Sequence, residues 1–348
     1  RVAPHRLPSA VRPPPEDALL STDPAVRPEP VPHSRPRGLS HPDGAVIGID
    51  FGGTKTEVAL ADPDGTPVRR IRFATRPEQG PDPVLARAGA AARELAAYAR
   101  SALGLPVLAH AAVSPGVIRP DRILLTPNLP GWENLALADR LALELGVESV
   151  AVANDVRAGA LAELRRGALR GADPGVYLSL GTGVAAALTV GGRVLDGAHR
   201  AAGEIAYLDP GRPPGAPVAA FADGHAPLEE LVGGRALAER SAAELGEALT
   251  ADRLFTSPDP GARRIAREAL DTLATAVANI AVLLDPERVV VGGGMMAAGA
   301  VILPALAERL DRAVPFPPTV LPARFAADAS LHGAITLALD HRCVPAGR

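Results

Sequence analysis

Short apolar runs alternate with longer amphipathic stretches from residue 45 onward. The first run, residues 45–49, ends at Asp50 and a glycine turn, and a second strand-like run around residues 57–60 follows at once. Two apolar runs joined by a tight glycine turn predict a β-hairpin. Helical and extended patterns then alternate as far as residue 153, which predicts an α/β lobe. The predicted helices are 83–103 and 135–145, and the predicted strands are 107–113 and 149–153.

The second half of the chain repeats this order. An amphipathic stretch over 156–166 is followed by two strand-like runs, 176–180 and 184–190, around another glycine turn. Further helices are predicted over 228–245 and 262–284, and a strand over 288–291 leads into a third glycine cluster. The two halves therefore resemble loose copies of one βββαβα plan.

The length of the chain favours two hydrophobic cores. It has 348 residues, of which 47% are hydrophobic, and single cores stop growing at about 250–300 residues. Residues 1–44 differ from the rest, because prolines at every few positions and the lack of periodicity predict a disordered tail. We expect one lobe at 45–153 together with 331–348, and the other at 154–330.

Charge and cysteine content exclude several classes of protein. The net charge of −3 leaves no basic surface of the kind that binds nucleic acid or anionic membranes. Cys343 is the only cysteine, which excludes an internal disulfide and a multi-cysteine metal site. Neither a run of about 18 apolar residues nor a secretory signal pattern is present. These features predict a soluble, cytoplasmic protein without a nucleic-acid or membrane partner.

Three glycine-rich turns follow predicted strands and offer backbone N–H groups to phosphate oxygens. The first adds hydroxyls and the only lysine of the chain, and its Asp50 is placed to hold Mg²⁺ through water. For this turn alone, the alternative is an ordinary glycine hairpin with a surface aspartate. The candidate nucleotide-binding residues are Asp50, Gly52, Gly53, Thr54, Lys55, Thr56, Gly181, Thr182, Gly183, Gly293 and Gly294.

In their order along the chain, the three turns resemble the phosphate-1, phosphate-2 and adenosine segments of the actin/hexokinase superfamily. A Walker-type loop and a protein-kinase catalytic loop are both absent from the sequence. The resemblance implies an α/β, two-lobed actin-like ATPase fold, which is ribonuclease H-like, with an active-site cleft between the lobes. It also implies ATP and Mg²⁺ as cofactors.

Two further segments resemble the ROK family of sugar kinases. Residues 126–132 read TPNLPGW, and Asn154-Asp155 follows a predicted strand. In that family the aspartate is the general base on a sugar hydroxyl, so the resemblance assigns Asp155 as catalytic residue and Asn154 as a ligand of neighbouring hydroxyls. An N-cap of the following helix is the alternative for this pair. The resemblance extends from residue 45 to residue 339.

The other sugar-binding candidates also come from this resemblance. Asn128 lies in TPNLPGW, Glu204 lies in a signature-like stretch over 191–205, and Glu229 precedes a Gly-Gly-Arg-Ala-Leu segment. Carboxylates and amides form paired hydrogen bonds with sugar hydroxyls, which an apolar pocket cannot provide. A solvated helix face is the alternative for Glu229.

Two departures from the ROK pattern change the predicted site. Ala206-Tyr207 stands where the family usually has Gly-His, so Tyr207 replaces a histidine that contacts the sugar and ligates zinc. Residues 223–227 contain no cysteine where the family has its zinc motif. We therefore expect no zinc site, and we expect the tyrosine hydroxyl to contact the sugar.

The resemblance implies an ATP-dependent kinase that phosphorylates a hexose or hexose derivative and forms a homodimer or homotetramer. Two alternatives stay open. One is a sugar-sensing ROK transcriptional regulator, although no helix-turn-helix pattern precedes residue 45. The other is a sugar-binding protein without turnover.

Overall fold

The computed structural model describes residues 44–126, 128–211, 221 and 224–342. The predicted disordered tail, 1–44, lies outside these residues except for Gly44, and so does Cys343. None of the described helices is long and apolar enough to cross a membrane.

The described residues form two five-stranded sheets and a two-stranded ribbon. The strands of the first half are β1 (Ala45–Phe51), β2 (Lys55–Ala61), β3 (Pro67–Ala74), β4 (Val107–Ser114), β5 (Val117–Ile118), β6 (Ile123–Leu124) and β7 (Ala151–Asn154). Those of the second half are β8 (Gly175–Leu180), β9 (Val184–Val190), β10 (Arg193–Val194), β11 (Arg288–Gly292) and β12 (Thr319–Pro322). The helices are α1 (Pro81–Tyr98), α2 (Leu137–Leu145), α3 (Asp155–Arg166), α4 (Glu229–Val232), α5 (Gly234–Leu245), α6 (Ala251–Thr256), α7 (Pro260–Leu284), α8 (Gly299–Ala313) and α9 (Ala329–His341).

Both large sheets have the same connectivity. The first has the strand order β3-β2-β1-β4-β7, and the second has the order β10-β9-β8-β11-β12. In each sheet three consecutive antiparallel strands are followed by two strands that run parallel to the first of them. This repeated plan confirms the predicted α/β class and the expectation that the two halves are copies of one arrangement.

Each large sheet has its own hydrophobic core. Apolar residues of β1 and β2 pack with the buried face of α1, and those of β8 and β11 pack with α7. Helix α7 begins at Pro260 because Asp259 caps it: the carboxylate of Asp259 accepts the N–H of Ala262 at 2.9 Å. A capped helix with a continuous buried stripe is held firmly against its sheet.

Helix α9 returns to the first sheet and covers the face opposite α1. Its residues Leu331 and Ile335 pack with Val46 in a separate apolar cluster. It also crosses α3 closely, because a Cβ atom on Gly333 would overlap the backbone of Ala158. The lobe boundaries given above, 45–153 with 331–348 and 154–330, remain a prediction.

Candidate active site

The carboxyl ends of three parallel strands bring two predicted acidic residues to one edge of the first sheet. Asp50 in β1 is aligned with Val113 in β4, and Ser114 in β4 is aligned with Asn154 in β7. Asp155 follows as the first residue of α3. Burial, followed by the nearby negative charges of Asp155 and other acidic residues, raises the pKa of Asp50 to about 7. The two carboxyl groups are therefore electrostatic neighbours.

The side chain of Asn154, and not that of Asp155, caps helix α3. Its Oδ1 atom accepts the N–H of Arg157 at 3.0 Å, and its Nδ2 atom donates to the carbonyl of Gly116 at 2.9 Å. The Asp155 carboxylate accepts the N–H of Val156 at 2.9 Å, and burial raises its pKa although backbone hydrogen bonds from Val156 and from Asp155 itself oppose the shift. The N-cap alternative thus applies to Asn154 and leaves most of the hydrogen-bonding capacity of Asp155 free.

The first glycine turn connects β1 to β2 and lies against Asn128. The N–H of Gly52 donates to the carbonyl of Lys55 at 3.0 Å. A Cβ atom on Gly53 would lie 3.2 Å from the backbone oxygen of Asn128, so glycine permits this close approach. Thr54 is exposed. The turn and the TPNLPGW segment therefore meet, although they are more than 70 residues apart in the chain.

The side chain of Thr56 is engaged inside the fold. Thr56 is fully buried, and its hydroxyl lies 2.9 Å from that of Thr75. The Thr75 hydroxyl donates to the carbonyl of Gly52 at 2.6 Å, so the proton between the two threonines comes from Thr56. Both hydroxyls are therefore occupied by contacts that hold the turn in place.

Lys55 is held by an acidic partner that the sequence did not indicate. Its Nζ atom lies 2.9 Å from Glu57, whose other carboxylate oxygen accepts Arg72 at 2.9 Å. Glu57 is buried, and these two cations lower its pKa although burial opposes them. An ammonium group has three donors, so Lys55 keeps two for other acceptors.

The second and third glycine turns lie side by side, because β8 and β11 are parallel neighbours. The carbonyls of Gly181 and Thr182 accept the N–H groups of Gly234 and Arg235 at 2.9 and 3.0 Å. Gly293 has φ 92°, and a Cβ atom there would overlap the carbonyl of Leu180. Only glycine fits that position.

Gly183 lies directly against Glu229. A Cβ atom on Gly183 would overlap the carboxylate of Glu229, which accepts the N–H of Val184 at 3.1 Å. This contact fixes one carboxylate oxygen at the second turn and leaves the other available. Glu229 is half-buried at the start of α4, so it does not lie on a solvated helix face.

Glu204 and Tyr207 lie on the same side of the site. Burial raises the pKa of Glu204; Arg157 opposes this shift, and the charges of Asp155 and Glu229 add to it. Tyr207 is 38% exposed, packs edge-on against Phe221 at 5.4 Å, and has its pKa raised by burial and by Glu204 and Glu229. The carboxylates predicted to bind the sugar thus lie close to the predicted base and to the tyrosine that replaces histidine.

Arg157 was not predicted from the sequence, although it lines a cavity of about 270 Å³ together with Asn154 and Asp196. Its Nη1 atom lies 3.2 Å from Asp196, while Nε and Nη2 are buried without a partner in the described contacts. The available signal is the helical spacing of four residues between Arg157 and Leu161, which also lines the cavity.

The predicted carboxylates therefore converge. Asp50, Asp155, Glu204 and Glu229 form a connected set of charges from both halves of the chain. Thr56 is withdrawn from it, and Gly294 is exposed beyond the third turn with no atom near its Cβ position. Among the described residues, no group of three or more histidine, cysteine or carboxylate side chains is arranged to hold a metal ion.

Several characterised enzymes are similar to this chain. It is 31% identical over 305 residues to the bifunctional enzyme NanE/NanK of Brucella melitensis, covering 86% of this chain and 55% of that enzyme, so it spans about half of its length. It is 30% identical over 281 residues to glucokinase of Thermotoga maritima, covering 76% of this chain and 86% of the enzyme. It is also 30% identical over 303 residues to kanosamine kinase of Amycolatopsis mediterranei, with coverages of 84% and 95%.

Solved structures share the fold. ROK hexokinase of Thermus thermophilus superposes with a TM-score of 0.70 and 29% identity, covering 85% of this chain and 98% of the other. The ROK glucokinase of Streptomyces griseus in complex with glucose and AMPPNP superposes with a TM-score of 0.69 and 26% identity, covering 85% of this chain and 100% of the other. A ROK transcriptional regulator homologous to the E. coli MLC protein superposes with a TM-score of 0.73 and 21% identity, covering 87% of this chain and 79% of the other. At this low identity the likeness shows the fold alone. These neighbours confirm the two-lobed actin-like ATPase fold. A model of the ROK family matches residues 46–341, and the chain therefore belongs to the ROK family.

Proposed function

We propose that this chain transfers the γ-phosphoryl group of ATP to a hydroxyl of a hexose or hexose derivative, with Asp155 as general base. The observation that carries the proposal is the position of Asp155. Its charge acts on Asp50 at the first glycine turn and on Glu204 on the sugar side. A base at this point can meet a sugar hydroxyl on one side and a terminal phosphate on the other. The relatives named glucokinase and kanosamine kinase, and the glucokinase with bound AMPPNP, support the same reaction.

The reaction requires a proton acceptor aligned with the attacking hydroxyl. The sugar oxygen forms a bond to the γ-phosphorus, the bond from that phosphorus to the β,γ-bridging oxygen breaks, and ADP leaves. The hydroxyl proton passes to the carboxylate of Asp155. Because burial raises the pKa of Asp155, the carboxylate is a stronger base than one in water. Enzymes of this type depend mainly on positioning and on charge stabilisation.

The glycine turns would hold the phosphates of ATP. Among the described contacts, the backbone N–H groups of Gly53 and Thr182 have no acceptor, and the hydroxyls of Thr54 and Thr182 are exposed, so all of them can donate to phosphate oxygens. Lys55 adds a charge. The close approach at Gly293 leaves room for a flat ligand beside the third turn.

Mg²⁺ fits the acidic edge of the site. The pKa of Asp50 is raised to about 7 because its carboxylate is buried beside other negative charges, which Lys55 offsets only in part. A carboxylate in such surroundings favours the binding of a cation. Mg²⁺ is usually held by one or two carboxylates, waters and substrate phosphates. Asp50 would hold the ion through water, and the bound ion would neutralise phosphate charge.

Glu204, Glu229, Asn128 and Tyr207 would orient the sugar. Each carboxylate accepts hydroxyl hydrogen bonds, and the protonated tyrosine hydroxyl donates one. Asn154 retains one amide N–H beyond its two structural contacts. These groups would select a hydroxyl-rich ligand because leaving them unpaired in a closed site costs free energy.

The test is ADP release from ATP over a panel of hexoses, amino sugars and N-acetylated sugars. Turnover with at least one sugar supports the kinase. Saturable sugar binding without ADP release from any sugar would refute it and favour the sugar-sensing or purely sugar-binding alternative.

A further inference from the structure

A second cavity, of about 380 Å³, lies away from the sugar and phosphate residues and is lined by four arginines. We name it the arginine pocket and define it by Arg165, Arg166, Arg170 and Arg324. The remaining walls come from the turn between β2 and β3 and from Phe325 and His332. Three segments that are distant in the chain therefore meet around it.

The pocket is well separated from the proposed active site. Strand β2 begins at the first glycine turn and ends next to the β2–β3 turn, and seven residues of strand span about 20 Å. Helix α3 begins at Asp155 and ends at Arg166, and eleven residue steps of helix span about 16 Å. The pocket therefore lies at the opposite ends of the elements that carry Lys55 and Asp155.

The residues that line the pocket carry more positive than negative charge. Arg165 lies 3.3 Å from Asp340, but in the part of the chain that the structure describes no carboxylate forms an ion pair with Arg166, Arg170 or Arg324. Asp64 is the only acidic residue in the wall. With His332 neutral, the lining residues carry an excess of three positive charges at neutral pH.

The pKa shifts of Arg166 and His332 agree with this excess of positive charge. Burial, followed by the neighbouring Arg324, lowers the pKa of Arg166, although Asp62 and Asp340 oppose the shift. Burial lowers the pKa of His332 to about 4, and Arg166, Arg70 and Arg324 contribute while Asp328 opposes. The arginines are close enough to repel one another, so an anion between them would be stabilised.

Neutral contacts hold two of the guanidinium groups in place. Arg166 donates to the carbonyl of Gly65 at 2.7 Å and to the hydroxyl of Thr336 at 2.8 Å, while its buried Nε has no partner among the described atoms. Arg324 donates to the carbonyl of Arg166. Both lie over the ring of Phe325, at 5.7 and 5.6 Å, and the backbone N–H of Phe325 is fixed by Glu163 at 2.9 Å. These contacts orient the cations without neutralising them.

We propose that the arginine pocket binds a small molecule through a phosphate group, at a site distinct from that of the transferred phosphoryl. A phosphate monoester carries almost two negative charges and three strong acceptor oxygens, which match several guanidinium groups better than one carboxylate does. Phosphate bound there would link the β2–β3 turn, the end of α3 and the segment before α9. Occupancy is expected to raise the melting temperature of the protein.

The experiment uses inorganic pyrophosphate as probe, by isothermal titration calorimetry at constant ionic strength. Wild type is compared with Arg170→Gln and Arg324→Gln, and Arg267→Gln is the matched control, since Arg267 is exposed on α7 and lines neither cavity. We expect saturable binding that weakens about tenfold or more in each pocket variant and is unchanged in the control. The side chain of Arg170 makes no described hydrogen bond or ion pair, so Arg170→Gln should leave the fold unchanged. If Arg324→Gln folds poorly, the affinity of Arg170→Gln for pyrophosphate alone tests the proposal.

Three results would overturn the proposal. The first is the absence of saturable pyrophosphate binding, and the second is an equal loss of affinity in Arg267→Gln. The third is binding that survives both pocket variants but is lost in Gly53→Ala, which would place the anion at the glycine turn. If binding is as expected, displacement of pyrophosphate by glucose 6-phosphate or by ADP, compared in wild type and Arg170→Gln, distinguishes a sugar phosphate from a nucleotide. Failure of both to displace it would exclude these two compounds as ligands of the pocket.

Discussion

Replacing Asp155 with asparagine removes the proposed proton acceptor and preserves the shape of the side chain. The Oδ1 atom of an asparagine can still accept the N–H of Val156, so the start of α3 is retained. General-base assistance is worth about 10²–10⁴ in rate, which corresponds to about 2.7–5.4 kcal/mol of activation free energy at 1.36 kcal/mol per decade. We therefore expect kcat to fall by this factor, while the sugar affinity changes little because Glu204 and Glu229 remain.

The structure also predicts how this change affects stability. Burial raises the pKa of Asp155 in the folded state, so the ionised carboxylate destabilises the fold at pH values above that pKa. Asparagine resembles the protonated form. Asp155→Asn should thus be at least as stable as wild type at neutral pH, which separates loss of the base from loss of structure.

The assay couples ADP release to NADH oxidation, with the best sugar from the panel at saturation. Asp311→Asn is the control, because Asp311 is an exposed carboxylate on α8 with no described partner. If Asp155→Asn keeps more than a tenth of the wild-type kcat, Asp155 is not the general base. A variant that is inactive but also much less stable in thermal unfolding would refute the stability reasoning.

Four further predictions concern other parts of the molecule. Gly293→Ala should destabilise the protein by about 1–3 kcal/mol, because Gly293 has φ 92° and the added Cβ overlaps the backbone of Leu180, whereas Gly181→Ala meets no atom within 4 Å and should keep its melting temperature. Because the pKa of His332 falls from 6.5 to about 4 on folding, the protein should lose stability as the pH falls through this window, and His332→Gln should reduce that slope in urea titrations. An unchanged slope would contradict the burial of a neutral imidazole. Purified protein should contain no stoichiometric zinc, and zinc that withstands chelation would show that another ligand set exists. Sedimentation at micromolar concentration should show a dimer or tetramer, and a monomer alone would contradict the expectation taken from the family.

Several elements were predictable because their pattern is local. The apolar runs before the glycine turns became β1 and β8, and the long amphipathic stretch at 262–284 became α7 with two more residues at its start. Edge strands were missed. Strand β3 alternates poorly and is largely exposed, and β12 has four residues, so neither carries a strong apolar signal.

Other boundaries depended on distant contacts. The helix predicted over 228–245 is broken at Gly233, which is extended, because the next residue donates its N–H to the carbonyl of Gly181. No property of the 228–245 segment alone reveals that partner. The predicted helix over 83–103 likewise ends its α-helical part at Tyr98 and continues as a π-helical turn.

By itself, the sequence determined the alternation of elements, the three glycine turns and the residue types able to bind a sugar and a nucleotide, since all of these depend on neighbours in the chain. Only the tertiary structure decided which side chains remain free for ligands. It withdrew the hydroxyl of Thr56 into the core, engaged Lys55 with Glu57 and made Asn154 the helix cap. It also gathered arginines from α3 and from the segment after β12 around one cavity. Hydrogen-bond satisfaction and charge balance depend on groups that folding brings together from distant positions, so a linear pattern cannot contain them.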